Sequence, residues 1–203
     1  MQFAAILAGG SGVRMGNPNK PKQFFYLGDK PILVHTLEKF CAAGCFDGIL
    51  VLTPATWVQQ TKDIIARHCP QYADAVNVIA GGAERNDTIM NAIRYFEDEC
   101  QADDASIIVT HDAVRPFVSL RIIEDNIAAA LAHGACDTVV PATDTIVESL
   151  DGELISSIPN RSVLYQGQTP QSFNMRELRE TLESLTPEES AILTDACKAF
   201  ALR

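Results

Sequence analysis

FAAILAGGSGVRMGNPNKPKQF, Phe3 to Phe24, begins as a short apolar strand and breaks at Leu7 into a glycine-rich loop bearing Arg14, Lys20 and Lys22. No acidic residue occurs from Phe3 to Gly28, although the chain holds 26 acidic against 16 basic side chains. Glycines let backbone N–H groups close around a phosphate, and the three cations supply neutralising charge. The segment therefore reads as a nucleoside triphosphate site at the end of a buried strand, the alternative being a solvated, flexible loop. It is not a Walker loop, because no Gly-Lys pair occurs. Nor does it complete the dinucleotide fingerprint, since Met15 stands where the last glycine belongs.

Outward from this loop, apolar runs alternate with helical patterns. Strands are expected at Phe3 to Leu7, Gly48 to Thr53, Val76 to Ala80, Ser106 to Thr110 and Asp137 to Pro141. Helices are expected at Ile32 to Cys41, Thr56 to His68, Asn86 to Glu97 and Leu120 to His133, the last capped by Ser119 and closed by Gly134. Crossovers of about 20 residues or more join parallel strands. The expected fold is α/β, three-layered and Rossmann-like, with a mostly parallel sheet. Its carboxyl edge collects the loops Ala8 to Lys22, Gly81 to Thr88 and His111 to Pro116, so one site is expected there.

Residues 144–159 interrupt the pattern, with two β-like segments around the turn Asp151-Gly152. A lone ribbon is marginal in water, so this protruding β-hairpin arm is expected to pack on a second subunit or back on its own domain. After Pro170, Asn174 can cap a helix over Met175 to Leu185, and Thr186-Pro187-Glu188-Glu189 carries a helix-start signature. The last segment, Asp195 to Leu202, reaches the terminus without a stop signal, which raises the expectation that a C-terminal segment is missing.

The 203 residues fit one domain, and 47% hydrophobic with 21% charged content is ordinary for a soluble core. A net charge of −10 argues against nucleic-acid and anionic-membrane partners. No apolar run approaches the ~18 residues of a membrane span. MQFAAILAGG lacks the basic start of a signal peptide, and the expected location is the cytoplasm. The six cysteines contain no Cys-x-x-Cys pair and read as structural thiols.

HDAVRPF, His111 to Phe117, puts Asp112 and Arg115 just past a buried strand. Asp112 can hold a metal ion on a triphosphate, bond a sugar hydroxyl, or pair with Arg115 in the turn. His111 points the other way along the strand and reads as a packing residue. In GGAERNDT, Gly81 to Thr88, backbone groups and the Thr88 hydroxyl could meet the edge of a base. Equally, Asn86 could be a helix cap, and Glu84 and Arg85 surface charge.

LAGGSGVRMG, PKQF, GGAERNDT, HDAVRPF, DTIVES, IPNRSVLYQGQTPQSF and LTDACK, in this order, resemble the sugar-alcohol-phosphate cytidylyltransferases over essentially the whole chain. LAGG, THDAVRPF and IPNR with YQGQTPQ look more like the ribitol-5-phosphate branch than the methylerythritol-phosphate branch. The resemblance implies a single nucleotidyltransferase domain over 1–203, a Mg²⁺ cofactor, and a homodimer formed through 144–159. It implies transfer of CMP from CTP to D-ribitol 5-phosphate, as a precursor step for wall polymers. The methylerythritol 4-phosphate reaction of isoprenoid synthesis and a non-catalytic nucleotide-binding module are the alternatives.

Residue by residue, the resemblance makes Arg14 and Lys22 the cations at the reacting phosphorus. Ala8, Gly9, Gly10, Gly82, Thr88, Asp112, Ala113 and Arg115 fall at CTP-binding positions, with Asp112 also facing metal and substrate. Thr145 and Arg161 match arm residues that reach the neighbouring subunit's site, and Thr169 and Thr194 match hydroxyls near the substrate phosphate. Ala83 departs from a position often acidic in the methylerythritol branch. The family's later Asn-x-Lys motif has no counterpart before Arg203.

Overall fold

The computed structural model describes residues 1–10, 20–191, 193 and 195–203. Eight strands occur among them: β1 (Gln2–Leu7), β2 (Tyr26–Leu27), β3 (Lys30–Pro31), β4 (Gly48–Thr53), β5 (Val76–Ala80), β6 (Ile107–Asp112), β7 (Ala135–Pro141) and β8 (Tyr165–Asn174). The helices are α1 (Ile32–Ala43), α2 (Val58–His68), α3 (Arg85–Cys100), α4 (Leu120–His133), α5 (Met175–Glu183), α6 (Pro187–Ala191) and α7 (Ala196–Ala201). Six strands form one sheet in the order β5-β4-β1-β6-β8-β7. The pairs β5–β4, β4–β1 and β1–β6 are parallel, while β8 runs antiparallel to both β6 and β7. The sheet is therefore mostly parallel, as expected, with an antiparallel end that sequence reading did not foresee.

Central burial explains why β1 is apolar without alternation. Ala4 and Ile6 face a cluster with Leu33, Leu37 and Phe40 of α1, Ile65 of α2 and Ile123 of α4. Phe3 and Ala5 face the other cluster, with Ile89, Ile93 and Phe96 of α3, Leu178 of α5 and Ala199 of α7. These two apolar layers on either side of one sheet make the three-layer architecture. Phe3 stacks on Phe96 with ring centroids 4.5 Å apart, and Phe173 of β8 stacks on Phe200 at 5.3 Å. No helix of the described residues is long and apolar enough to cross a membrane.

Local signals place most helix ends. Ser119 Oγ accepts from Ile122 N, and Gly134 closes α4 with a positive φ of 81°. Asn174 caps α5 by accepting from Glu177 N at 3.0 Å. Thr186 and Glu189 exchange side-chain-to-backbone bonds of 2.9 and 3.2 Å, completing the capping box read before α6. Asp195 caps α7 by accepting from Lys198 N at 3.0 Å. Helix α3 corrects the expectation at Asn86: its N-cap is Glu84, in a reciprocal box with Asp87, so Arg85 opens the helix.

Two further corrections concern the strands. β6 extends to Asp112, beyond the expected end at Thr110, and takes that carboxylate to the sheet edge. The arm over 144–159 is an exposed loop, not a regular ribbon: one antiparallel bridge joins Glu148 to Ser157. Its tip is turned by Asp151, whose Oδ1 accepts from Glu153 N and Leu154 N at 2.9 Å each.

Phe173 is fully buried between sheet and α7, so truncation leaves a cavity. Phe173→Ala is expected to lower unfolding free energy by about 3–5 kcal/mol, read from urea denaturation.

Candidate active site

Three loops meet at the carboxyl edge of the parallel strands. The first leaves β1 at Ala8, which is buried and donates its N–H to Leu52 O at 2.8 Å. Gly9 and Gly10 follow, both exposed, with nothing among the described residues within 4 Å of the place a Cβ would occupy, which suits the close backbone approach that phosphate binding uses. Arg14 lies outside the described residues. Where the chain returns, Gln23 is buried and donates Nε2–H to Ala8 O at 2.5 Å and Gly10 O at 3.2 Å. Gln23 was not singled out from sequence, yet it braces the loop's start. Beside it Lys22 opens a short 3-10 turn, Lys22–Phe24, and Lys20 Nζ sits 5.6 Å from the Tyr26 ring centroid.

The second loop follows β5. A Cβ on Gly82 would lie 2.2 Å from Asp87 Cβ and 2.7 Å from the Asp87 carbonyl carbon, so only glycine fits. Thr88 Oγ1 donates to Glu84 O at 2.9 Å and accepts from Gly82 N at 3.0 Å. The hydroxyl read as a base contact thus already folds this loop, keeping one lone pair to offer.

The third loop carries the centre of the site. Asp112 Oδ1 accepts from Arg85 Nη1 at 2.7 Å, and Oδ2 accepts from Arg115 Nε at 3.0 Å. Burial alone would push this carboxyl up, but the two guanidiniums outweigh it and hold Asp112 below the usual carboxylate range. The Asp112–Arg115 pair matches one reading of the sequence. Arg85 does not: it is no surface charge but the second clamp, and its Nε is buried with no partner among the described residues. Arg115 also donates through Nη1 to Gln168 Oε1, and Asp112 N donates to Thr169 Oγ1 at 3.3 Å. Thr169 is thereby joined to Asp112, and Gln168 is an addition from β8.

Ala113 sits differently from its expected place near a ribose. It is fully buried, its N–H bonds to Leu7 O at 3.0 Å, and its carbonyl accepts from Thr36 Oγ1 at 2.8 Å. Both backbone groups are engaged in holding the loop. Thr145 and Arg161 are exposed on or beside the arm, where Arg161 Nη1 donates to Thr143 O at 2.6 Å. Among the described residues, neither bonds to the Asp112 group within this chain. Thr194 lies outside the described residues.

His111 faces the opposite layer, its ring 5.0 Å from that of Phe40. Its Nε2–H donates to Arg115 O at 3.0 Å, leaving Nδ1 buried without a partner. A proton on Nδ1 would be a buried cation with no acceptor, and this desolvation lowers the pKa to about 4. His111 is neutral near pH 7 and turned from the loops, so it serves packing.

A metal ion has a limited donor set here. No group of three His, Cys, Asp or Glu side chains forms a metal site among the described residues. A single carboxylate suits Mg²⁺ brought in on phosphate oxygens and water, provided one arginine yields an Asp112 oxygen.

Residues 3–201 match the family described as IspD, 2-C-methyl-D-erythritol 4-phosphate cytidylyltransferase. Ribitol-5-phosphate cytidylyltransferase of Lactiplantibacillus plantarum is 51% identical over 202 residues, covering 100% of this chain and 85% of that protein. The 2-C-methyl-D-erythritol 4-phosphate cytidylyltransferase of Francisella tularensis superposes with a TM-score of 0.79 at 26% identity, covering 99% of this chain and 85% of that one. The 4-diphosphocytidyl-2C-methyl-D-erythritol synthase of Anaerococcus prevotii gives 0.78 at 23% identity, with 100% and 83% covered, a likeness of fold.

The histidine yields a pH prediction. Its folded pKa of about 4 lies below the unfolded value near 6.5, so the unfolded chain binds the extra proton between them. Stability from this group is complete above pH 6.5 and is lost as pH falls toward 4. Relative to His111→Gln, the wild type is expected to lose up to about 3 kcal/mol across that window in urea titrations.

Proposed function

The chain belongs to the 2-C-methyl-D-erythritol 4-phosphate cytidylyltransferase family, and within it we propose that this enzyme transfers CMP from CTP to D-ribitol 5-phosphate. CDP-ribitol and pyrophosphate are the products. The observation carrying this choice of alditol is the 51% identity, along the whole chain, to a ribitol-5-phosphate cytidylyltransferase. The methylerythritol reaction is the less well supported alternative, with solved relatives at 23% and 26% identity.

The site's chemistry accords with a phosphate nucleophile. A phosphate monoester with second pKa near 6 is mostly dianionic at neutral pH, so its oxygen attacks without a general base. The new bond joins that oxygen to the α-phosphorus of CTP. The bond from α-phosphorus to the β-phosphate bridging oxygen breaks, and its electron pair leaves with pyrophosphate. A histidine turned away from the loops is no obstacle, since no proton need be removed.

The proposed assignment of roles follows the loops. Ala8, Gly9 and Gly10 border the triphosphate with Arg14 and Lys22 as its neutralising cations, and Gly82 and Thr88 face the base. Asp112 and Arg115 stand between nucleotide and alditol phosphate, with Thr169 and Thr194 on the alditol side. Asp112 would hold Mg²⁺ together with the triphosphate, and the ion when bound neutralises phosphate charge.

The arm supports a homodimer. Leu150 is 85% and Leu154 72% exposed, and Ile155 and Ile158 beside them are also exposed. Contiguous apolar side chains of this kind call for a covering surface, and a second copy is the proposed one. Thr145 and Arg161 would then serve the neighbouring subunit's alditol phosphate.

Two outcomes test these readings. Pyrophosphate release with CTP and Mg²⁺ is expected to be faster with D-ribitol 5-phosphate than with methylerythritol 4-phosphate, and Lys22→Glu is expected to abolish it. The reverse preference would assign the methylerythritol reaction, and undiminished turnover by Lys22→Glu would remove that lysine from the mechanism. Sedimentation is expected to show a dimer at micromolar concentration that Leu154→Asp with Ile155→Asp converts to monomer with loss of turnover. A fully active monomer would contradict the shared site.

A further inference from the structure

Behind Asp112 the sheet carries a polar row that neither the loops nor the resemblance employs. On β6, β8 and β7 the side chains of Ile108, Phe173 and Ala135 belong to the apolar layer under α5 and α7. Side chains two residues along a strand share a face. One step toward the site, that face is therefore occupied by Thr110, Gln171 and Asp137, which the strand register places side by side. One step further stands Thr169, bonded to Asp112 N. The polar row thus runs from behind the Asp112 site toward β7, with Thr110 and Gln171 buried and Asp137 half-buried at its end.

Within the row, a carboxylate is aimed. Gln171 is buried and donates Nε2–H to Asp137 Oδ1 at 3.0 Å. Gln171 Oε1 is buried with no donor among the described residues, so its amide is held there by the bond to Asp137. The second oxygen, Oδ2, leans toward Gly167, where a Cβ would stand 3.6 Å from it and meet nothing else within 4 Å. Gly167 lies two residues from Thr169 along β8, where the strand passes from buried to exposed. Asp137 is half-buried; desolvation pushes its carboxyl up and Asp195 adds to this, while hydrogen bonds from Gln171, the Thr138 N–H and the Cys197 thiol draw it down. This carboxylate on the β7 edge, oriented by a buried amide and met by the α7 thiol, keeps Oδ2 beside the exposed Gly167.

We propose that Asp137, positioned by Gln171, is a specificity residue that accepts hydrogen bonds from the distal hydroxyls of a linear polyol phosphate whose phosphate lies by Asp112 and Thr169. This rests on the reading of the chain as an alditol-phosphate cytidylyltransferase and names what its site selects. The row from β6 to β7 covers two inter-strand spacings, roughly 10 Å, a distance an extended five-carbon alditol phosphate can span. A short alcohol phosphate would not reach Asp137. A longer one without a hydroxyl there would desolvate Oδ2 and give no hydrogen bond in return, which gives selection by penalty as well as by attraction.

The test compares wild type, Asp137→Ala and Asp137→Asn with D-ribitol 5-phosphate and glycerol 3-phosphate, measuring KM for each and for CTP. Calorimetric CTP affinity of each variant checks that its nucleotide side is intact. Asp137→Ala is expected to raise KM for ribitol phosphate about tenfold or more, leaving KM for CTP within about twofold and the weak glycerol phosphate reaction unchanged. Asp137→Asn, which keeps an acceptor, is expected to fall between. Wild-type turnover of ribitol phosphate with unaltered KM in Asp137→Ala would overturn the inference and leave the alditol reading standing. An equal loss toward both alcohols and CTP would also overturn it, marking Asp137 as structural. A wild type inert toward ribitol phosphate overturns both.

Discussion

The Asp112 carboxylate, held between Arg85 and Arg115, is the interaction on which the site depends. It ties the first residue of α3 to the end of β6 and, through Thr169 and Gln168, to β8. A guanidinium at a helix N-terminus is disfavoured by the helix dipole, so Arg85 needs this partner. Asp112 needs both arginines as well, because a carboxylate in so confined a place would otherwise be pushed toward protonation. One carboxylate against two guanidiniums leaves positive charge uncompensated where three loops converge. In a chain of net charge −10, that pairing of two cations with one carboxylate is what the proposed triphosphate reading draws on.

The neighbouring features serve the same end by excluding alternatives. Ala113 spends both backbone groups on Leu7 and Thr36, which fixes the turn leading from Asp112 to Arg115. Gly82 accommodates a backbone approach that any Cβ would block at Asp87. Gln23 draws Ala8 and Gly10 toward the returning chain. His111, its Nδ1 bare in an apolar layer, cannot take up a proton at neutral pH, and the proposed reaction asks for none. The site is thus built for charge placement, which suits attack by an already ionised phosphate.

The parallel half of the fold was legible because its strands are buried on both faces and read as unbroken apolar runs, FAAIL and ILVLT among them. Loop positions then followed from where those runs end, marked by glycines after Leu7 and after Ala80. β8 was not legible: YQGQTPQSFN carries glycine, a proline and three glutamines, a composition that opposes a central strand. Those polar residues are there because the strand passes under the site, with Gln168 and Thr169 at the Asp112 group and Gln171 behind it. Arg85 was misread for a related reason. Its partner lies 27 residues away, and no local pattern marks a cation whose charge is balanced across the sheet. Asn86 attracted attention as a cap, whereas the reciprocal Glu84–Asp87 box had already set the start of α3.

The most direct test of the arginine-clamped carboxylate is a double-mutant cycle on Asp112→Asn and Arg85→Gln, read as CTP affinity by calorimetry. Each change alone leaves its partner unbalanced, so the pair should lose less than the sum of the two. A coupling of about 1 kcal/mol or more is expected. Strict additivity would show that the two residues act on the nucleotide independently, and the clamp would then not be what organises the site.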